Sequence, residues 1–210
     1  MTVTTATPLS AAQSQLVFRA VLDALARPGT VQRLPANATA PSALLPVLAL
    51  ADLETPACVL ADTDEWADVV RAMTSAPGAG LARARLVAAL RPVTGDELAS
   101  LRTGSPAAPE DGALACLSVT SLTALADRED ADRADEAGGS AAGGSRLRLS
   151  GPGIPGTRDL LVTGLPPGFV AVRRDLTRGF PAGADLLLVT ADGDLAGLPR
   201  TTLIDSEGAS

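Results

Sequence analysis

The chain has 210 residues, 46% hydrophobic and only 2% aromatic, which predicts one globular domain over residues 1–210 with a core of Leu, Val and Ala. Its net charge of -7 argues against nucleic acid or an anionic membrane as the main partner, because both select basic surfaces. The first twenty residues lack the pattern of an export signal and no apolar run is long enough to span a bilayer, so we expect a cytoplasmic protein.

Helices are predicted at four places in the first half of the chain. Residues 1–9 are polar and are expected to be flexible. In SAAQSQLVFRAVLDALARPG, apolar residues recur at helical spacing after Ser10, a candidate N-cap. Ser42 is expected to cap a second helix that has Pro46 in its first turn, and DTDEWADVVRAMTSAPGAG predicts a third. Thr94, followed three residues later by Glu, has the capping-box pattern of a short fourth helix.

Strands are predicted between and after these helices. Ala57 to Ala61 and the run ARLVAAL are short and bounded by breakers, although the Ala content of the second run leaves a helix open there. Ala113 to Val119 predicts an inner strand, and RLRLSGPGI predicts a strand with one solvated face. A mixture of short strands and helices is typical of an α/β sheet that helices cover on at least one face.

The remainder of the chain combines a flexible segment with a hairpin. Residues 127–145 join a charge cluster to Gly, Ser and Ala, so we expect a flexible insertion with little apolar surface to bury. A short segment around Val170 to Leu176 precedes GFPAGADLLLVTADGDLAGLPRTT, which predicts a hairpin that turns at Asp192-Gly193. This hairpin makes the predicted sheet mixed rather than purely parallel.

Residue types that are missing narrow the chemistry. The chain has no His and no Lys, and all seventeen basic residues are Arg. A Ser-His-Asp triad, a His-bearing zinc site and a lysine Schiff base to pyridoxal phosphate are therefore excluded, and no cofactor or metal site is expected. Cys58 and Cys116 lie in apolar stretches without metal-ligand spacing, so we interpret them as buried free thiols. An autonomous enzyme is disfavoured but not excluded.

Polar residues on the first helix and around RLRLSGPGI are candidates for anion binding. Arg19 lies beside the apolar stripe of the first helix, where it either extends over the core edge or binds an anion. Ser150 to Ile154 could present backbone N–H groups to a phosphate, but an ordinary turn is the alternative. Arg148 is expected on the solvated face of its strand.

Polar residues at loop positions have simple structural roles as alternatives. Asp185 opens the apolar run of the hairpin and Arg200 follows Pro199, so a strand-entry turn and a surface Arg are the alternatives to a functional role. Asp52 and Glu54 precede a Thr-Pro pair as turn formers, and two carboxylates there do not make a metal site.

Six stretches in chain order, FRAVLDALARPG, ALADLETP, GSPAAPEDGA, LRLSGPGI, FPAGADLLLV and LPRTT, resemble the PhnH family of the bacterial carbon–phosphorus lyase system. The resemblance implies a homodimeric α/β protein similar in fold to the pyridoxal-phosphate transferases but without their cofactor site. The absence of Lys agrees with the loss of that site. The 127–145 segment is longer than the connection that the resemblance implies.

The resemblance also implies a function within a complex. With PhnG and PhnI, and with PhnL required, a PhnH subunit supports attack of a phosphonate on ATP, which releases adenine and gives a ribose 1-phosphonate 5-triphosphate. PhnJ in the same assembly later breaks the carbon–phosphorus bond. The matching blocks point to ligand-binding or interface roles for Arg19, Arg148, Gly151, Gly153, Asp185 and Arg200. Asp52 and Glu110 are secondary candidates for the same roles.

Three hypotheses follow. The first is a non-autonomous subunit of this complex, the second an independent enzyme that uses a Cys and a carboxylate, and the third a dimeric binding module for a phosphorylated metabolite. In each case we expect the hairpin to be structural from Leu186 to Leu198, with Asp185 and Arg200 at its two ends carried towards a shared cleft or interface.

Overall fold

The computed structural model describes residues 7–37, 39–125 and 144–206. The helices are α1 (Ala11–Ala26), α2 (Leu45–Leu50), α3 (Glu65–Thr74), α4 (Gly95–Ala99) and α5 (Phe169–Thr177), with 3-10 turns at Ser42–Leu44 and Pro109–Asp111. The strands are β1 (Gln32–Arg33), β2 (Ala57–Leu60), β3 (Leu86–Ala89), β4 (Leu114–Val119), β5 (Ser121–Leu125), β6 (Gly144–Ser150), β7 (Arg158–Thr163), β8 (Asp185–Thr190), β9 (Asp194–Leu198) and β10 (Leu203–Ser206).

The predicted helix starts are confirmed at α1 and α4, and Pro46 lies in the first turn of α2 as predicted, but the predicted cap of α2, Ser42, is wrong. Ser10 caps α1 in a capping box with Gln13, and Thr94 and Glu97 form the same motif at α4. Ser42 instead opens a 3-10 turn without a side-chain cap, and its hydroxyl donates to the carbonyl of Ala191. The Ser42 side chain therefore hydrogen-bonds the turn to a loop distant in sequence and does not cap a helix.

The central sheet has six strands in the order β1-β9-β8-β4-β3-β2. Strands β2, β3, β4 and β8 are parallel neighbours, whereas β9 runs antiparallel to β8 and to β1. The predicted mixed sheet and the predicted inner strand, β4, are thus confirmed. In the predicted hairpin, Leu186 lies opposite Leu198, and Gly193 in the turn has a φ of +90°, which glycine adopts without strain.

A second sheet, which was not predicted, packs on one face of the first. It is antiparallel in the order β10-β6-β7-β5. Its buried residues, such as Leu147 and Leu160, share a core with Leu117 and Leu188 of the central sheet and with residues of α4 and α5. Helices α1, α2 and α3 contribute to a separate core on the opposite face. Helices alone therefore cover only one face of the central sheet.

Two predicted flexible regions lie mainly outside the described residues. Residues 1–6 and 126–143 are not described, whereas Gly144 and Ser145, the last two residues of the predicted insertion, begin β6. The segment around Val170 is the helix α5. Within the described ranges, no helix has the length and apolar character needed to cross a membrane.

Helix α1 lies directly on β9, and Gly197 makes this close approach possible. A Cβ at Gly197 would run into the backbone of Ala24 and lie 2.8 Å from the amide nitrogen of Leu25. We predict that Gly197→Ala lowers the free energy of unfolding by about 1–3 kcal/mol, because overpacking must push the helix off the sheet. Urea unfolding followed by circular dichroism measures the change.

The matched control is Gly80→Ala, since a Cβ at Gly80 meets nothing within 4 Å. This variant should unfold within about 0.5 kcal/mol of the unsubstituted chain. Equal effects of the two substitutions would contradict the close packing of α1 on β9.

Candidate functional site

An ion pair joins the two ends of the C-terminal hairpin. Asp185 is the first residue of β8, and Arg200 lies in the turn between β9 and β10. The Arg200 Nη2 donates to Asp185 Oδ2 at 2.6 Å, its Nε lies 3.1 Å from Oδ1, and its backbone N–H donates to Oδ1 at 2.6 Å. The side chain of Asp185 is 23% exposed and that of Arg200 is 15% exposed, so a bidentate pair is held largely out of water. The hairpin therefore carries its two ends to one cleft, as predicted.

The same guanidinium ties two further loops to this hairpin. Its Nη1 donates to the carbonyl oxygens of Pro109 and Pro181. Gly112 leaves the necessary space, because a Cβ there would lie 3.0 Å from both terminal nitrogens of Arg200. Three loops thus converge on one arginine.

Three arginines of the described residues contact the Pro109–Asp111 turn. Besides the bond from Arg200 to Pro109, Arg85 Nη2 donates to the carbonyl of Glu110 at 3.0 Å, and Arg102 pairs with the carboxylate of Asp111 at 2.9 Å. These contacts engage the backbone of Glu110 and leave its side chain exposed.

A cleft of about 420 Å³ lies where these loops meet. It is at the amino ends of the parallel strands β3, β4 and β8, because the starts of these strands contribute to its lining. The lining residues are Leu50, Thr55, Arg85, Leu86, Glu110, Gly112, Leu114, Asp185 and Arg200. Three of the predicted residues, Glu110, Asp185 and Arg200, are therefore brought together. We call this space the Arg85 cleft.

Asp52 adjoins the cleft without lining it. Its Oδ1 accepts hydrogen bonds from the hydroxyl of Thr55 at 2.7 Å and from the backbone N–H of Glu54 at 3.0 Å. These bonds, the Thr55 hydroxyl first, lower the pKa of Asp52 below its usual value, so the carboxylate stays charged and supports the loop that carries Thr55.

The other predicted residues do not line the Arg85 cleft. Arg19 is exposed on α1, and Arg148 pairs with Asp159 on the neighbouring strand beside Arg146. Burial opposes the charge of Asp159, but hydrogen bonds from these two arginines outweigh it and lower the pKa of Asp159. Arg148 is thus part of a partly buried ionic cluster rather than a fully solvated side chain.

The two glycines of SGPGI allow close backbone packing. A Cβ at Gly151 would lie 2.8 Å from the carbonyl oxygen of Thr201, and one at Gly153 would run into the carbonyl of Ala26. The turn therefore fits between the Arg200 turn and the end of α1. A role of these glycines as anion donors stays a prediction.

Sequence reasoning missed Arg85 and Arg173. Arg173 is only 2% exposed, and its Nη2 donates to the carbonyls of Leu198 and Pro199. Burial lowers its pKa to about 10, so it remains a cation beneath the Arg200 turn. Its spacing from the apolar Phe169 and Leu176 was a usable signal, since positions i, i+4 and i+7 share one helix face.

The two thiols differ in exposure. Cys116 is buried as expected, whereas Cys58 on the edge strand β2 is half-buried, which corrects the expectation for that residue. Burial raises the pKa of both thiols, to about 12 for Cys116, so neither is disposed to form a thiolate. Among the described residues, no group of three or more His, Cys, Asp or Glu side chains could hold a metal ion.

Comparison with known proteins places these features in a family context. The family of bacterial phosphonate metabolism proteins PhnH matches residues 6–205. A relative from Stutzerimonas stutzeri, described as a putative C-P lyase subunit protein HtxG, is 34% identical over 203 residues, 95% of this chain and 89% of the relative. The matched range includes every residue that forms the Arg85 cleft.

We predict that Asp185 and Arg200 are energetically coupled, because each neutralises the other where water is largely excluded. A double-mutant cycle with Asp185→Asn and Arg200→Met should give a coupling free energy of about 1–3 kcal/mol in urea unfolding. The matched control is the exposed pair of Arg33 with Asp194, in which the arginine side chain is 64% exposed. Its cycle should give less than about 1 kcal/mol. A coupling free energy no larger than that of the control would contradict the stabilising role given to the pair of Arg200 with Asp185.

Proposed function

The chain belongs to the PhnH family of bacterial phosphonate metabolism proteins, and from this premise we propose that it is a non-autonomous subunit of a carbon–phosphorus lyase complex. In that complex it supports the displacement of adenine from ATP by a phosphonate, which yields a ribose 1-phosphonate 5-triphosphate. PhnG and PhnI act with it, PhnL is required, and PhnJ later cleaves the carbon–phosphorus bond.

The observation that carries the proposal is the chemistry of the Arg85 cleft. The cleft presents the guanidinium of Arg85, which makes a single hydrogen bond, beside that of Arg200, which is paired with Asp185, and the chain has neither His nor Lys. Planar guanidinium groups bind phosphate and phosphonate oxygens well, but they do not exchange protons near neutral pH. Of the two carboxylates that line the cleft, Asp185 is committed to Arg200. Such a surface suits binding and orientation of an anion while partner subunits supply the acid–base chemistry.

A homodimer is part of the proposal. Helix α1 exposes three large apolar side chains, Leu16, Phe18 and Leu22, which are about half exposed at 52%, 48% and 54%. Arg19 lies among them. Apolar side chains concentrated on one exposed helix are typical of a protein contact surface, and this supports a role of Arg19 at an interface rather than in the cleft.

The alternatives have less support. An enzyme that uses Cys58 or Cys116 needs a thiolate, and burial raises the pKa of both. A separate binding module remains the second candidate, because the Arg85 cleft is large enough for a small ligand. A fold similar to the pyridoxal-phosphate transferases and a cytoplasmic location stay part of the proposal, and two free thiols agree with a reducing compartment.

We predict that adenine release requires the assembled complex. Purified PhnG, PhnI and PhnL with ATP and methylphosphonate should release adenine only when this chain is added, and this chain alone should release none, because it has no His or Lys for acid–base chemistry. Chromatographic quantification of adenine measures the outcome. Adenine release by the chain alone, or an equal rate without it, would contradict the subunit role.

Light scattering of the same preparations tests the dimer. Phe18→Glu should reduce the mass of the isolated chain to that of a monomer, since a charge would be buried at the proposed contact. Leu203→Glu, at a residue that is 66% exposed on β10, is the matched control and should leave the mass unchanged.

A further inference from the structure

Arg85 is a half-buried arginine that forms no ion pair with a carboxylate of the described residues. Its neighbours in the same region are paired, Arg102 with Asp111 and Arg200 with Asp185. The guanidinium of Arg85 instead donates a single hydrogen bond, to the backbone carbonyl of Glu110. Within the described ranges it makes no ion pair, so most of its donors are available to a molecule in the cleft.

Glu110 supplies an unmatched charge of the opposite sign to the same cleft. Its side chain is exposed and, within residues 7–37, 39–125 and 144–206, it accepts no hydrogen bond and forms no ion pair. Its backbone is nevertheless fixed by Arg85, and the preceding Pro109 by Arg200. A charged side chain on a turn whose backbone is fixed can bind a ligand group with little loss of conformational entropy.

The other groups that face Arg85 set the charge of the cleft. Asp185 is neutralised by Arg200, and Thr55 donates its hydroxyl to Asp52, whose pKa is lowered partly by the charge of Arg85. Leu50, Leu86 and Leu114 contribute apolar surface. A purely anionic ligand would therefore be attracted by Arg85 and repelled by Glu110, and a ligand with both signs of charge would satisfy both.

We propose that the Arg85 cleft binds a small phosphonate or phosphate group whose organic substituent carries an amine. The tetrahedral oxyanion accepts hydrogen bonds from Arg85, the amine donates to the Glu110 carboxylate, and the connecting carbons lie on the leucine side chains. A volume of about 420 Å³ accommodates a ligand of this size. The proposal rests on the proposed function only for the origin of the ligand, and it assigns substrate selection to this subunit.

Isothermal titration calorimetry on the full isolated chain tests the proposal with 2-aminoethylphosphonate, 2-aminoethyl phosphate, methylphosphonate and inorganic phosphate. The two amino compounds should bind at least about tenfold more tightly than the other two, because only they meet Glu110. Tighter binding of the phosphonate than of the phosphate ester assigns the cleft to phosphonates, and the reverse order assigns it to phosphate esters. Either order supports the site. Absence of heat with all four overturns it.

Three variants identify the residues. Arg85→Met should weaken both amino compounds at least about tenfold. Glu110→Gln should remove the preference for an amine and tighten binding of inorganic phosphate, a gain that a folding defect would not produce. Arg83→Met is the matched control, since Arg83 does not line the cleft, and its affinities should not change.

Wild-type affinities in Arg85→Met, or an amine preference that survives Glu110→Gln, overturn the proposal. Adenine release by the complex is measured separately. A chain that supports adenine release but binds none of the four compounds refutes only the binding site, and a chain that binds them but does not support adenine release refutes only the proposed function.

Discussion

The pairing of Asp185 with Arg200 is the constraint on which the candidate site depends. Asp185 begins a central strand, so its position is fixed by the sheet, whereas Arg200 lies on the turn between β9 and β10. The bidentate pair and the hydrogen bond from the backbone N–H of Arg200 fix that turn against the first residue of β8. The Nη1 of Arg200 then donates to the carbonyl oxygens of Pro109 and Pro181, so the same side chain also fixes two more loops. Without the pair, a cationic side chain would be left largely out of water, which is costly.

The distribution of polar groups at the two ends of the parallel strands explains where the cleft lies. Ligands in open α/β sheets commonly bind at the carboxyl ends of the strands. Beyond the carboxyl end of β3, however, Arg91 forms two hydrogen bonds with Glu97, which also caps α4. The bonds from Arg91 and from the Thr94 N–H lower the pKa of Glu97 to about 2, so this pair is satisfied internally. At the amino ends, Arg85 and Glu110 form no ion pair within the part of the chain that the structure describes, so a ligand can pair with both charges.

Much of the fold follows from local sequence signals. The capping boxes at Ser10 and Thr94 and the Asp-Gly turn of the hairpin each act within a few residues, so pattern reasoning found them. The second sheet was not predicted because β5 and β10 are short strands at its edges, and their pairing depends on distant segments. The pairing of Asp185 with Arg200 could be anticipated because a hairpin brings its ends together. The role of Arg85 could not, since it depends on the three-dimensional finding that, among the described residues, this arginine forms no ion pair, and no spacing in the sequence records that.

The most direct test of this account is amide hydrogen exchange at residues 108–113 in the unsubstituted chain and in Asp185→Asn. If the ion pair orders the Pro109–Asp111 turn through Arg200, exchange in this segment should be slow in the unsubstituted chain and at least about tenfold faster in the variant, while α1 is unchanged. Equal exchange of residues 108–113 in the two proteins would show that the turn is ordered without the pair, and would contradict the central role given to it.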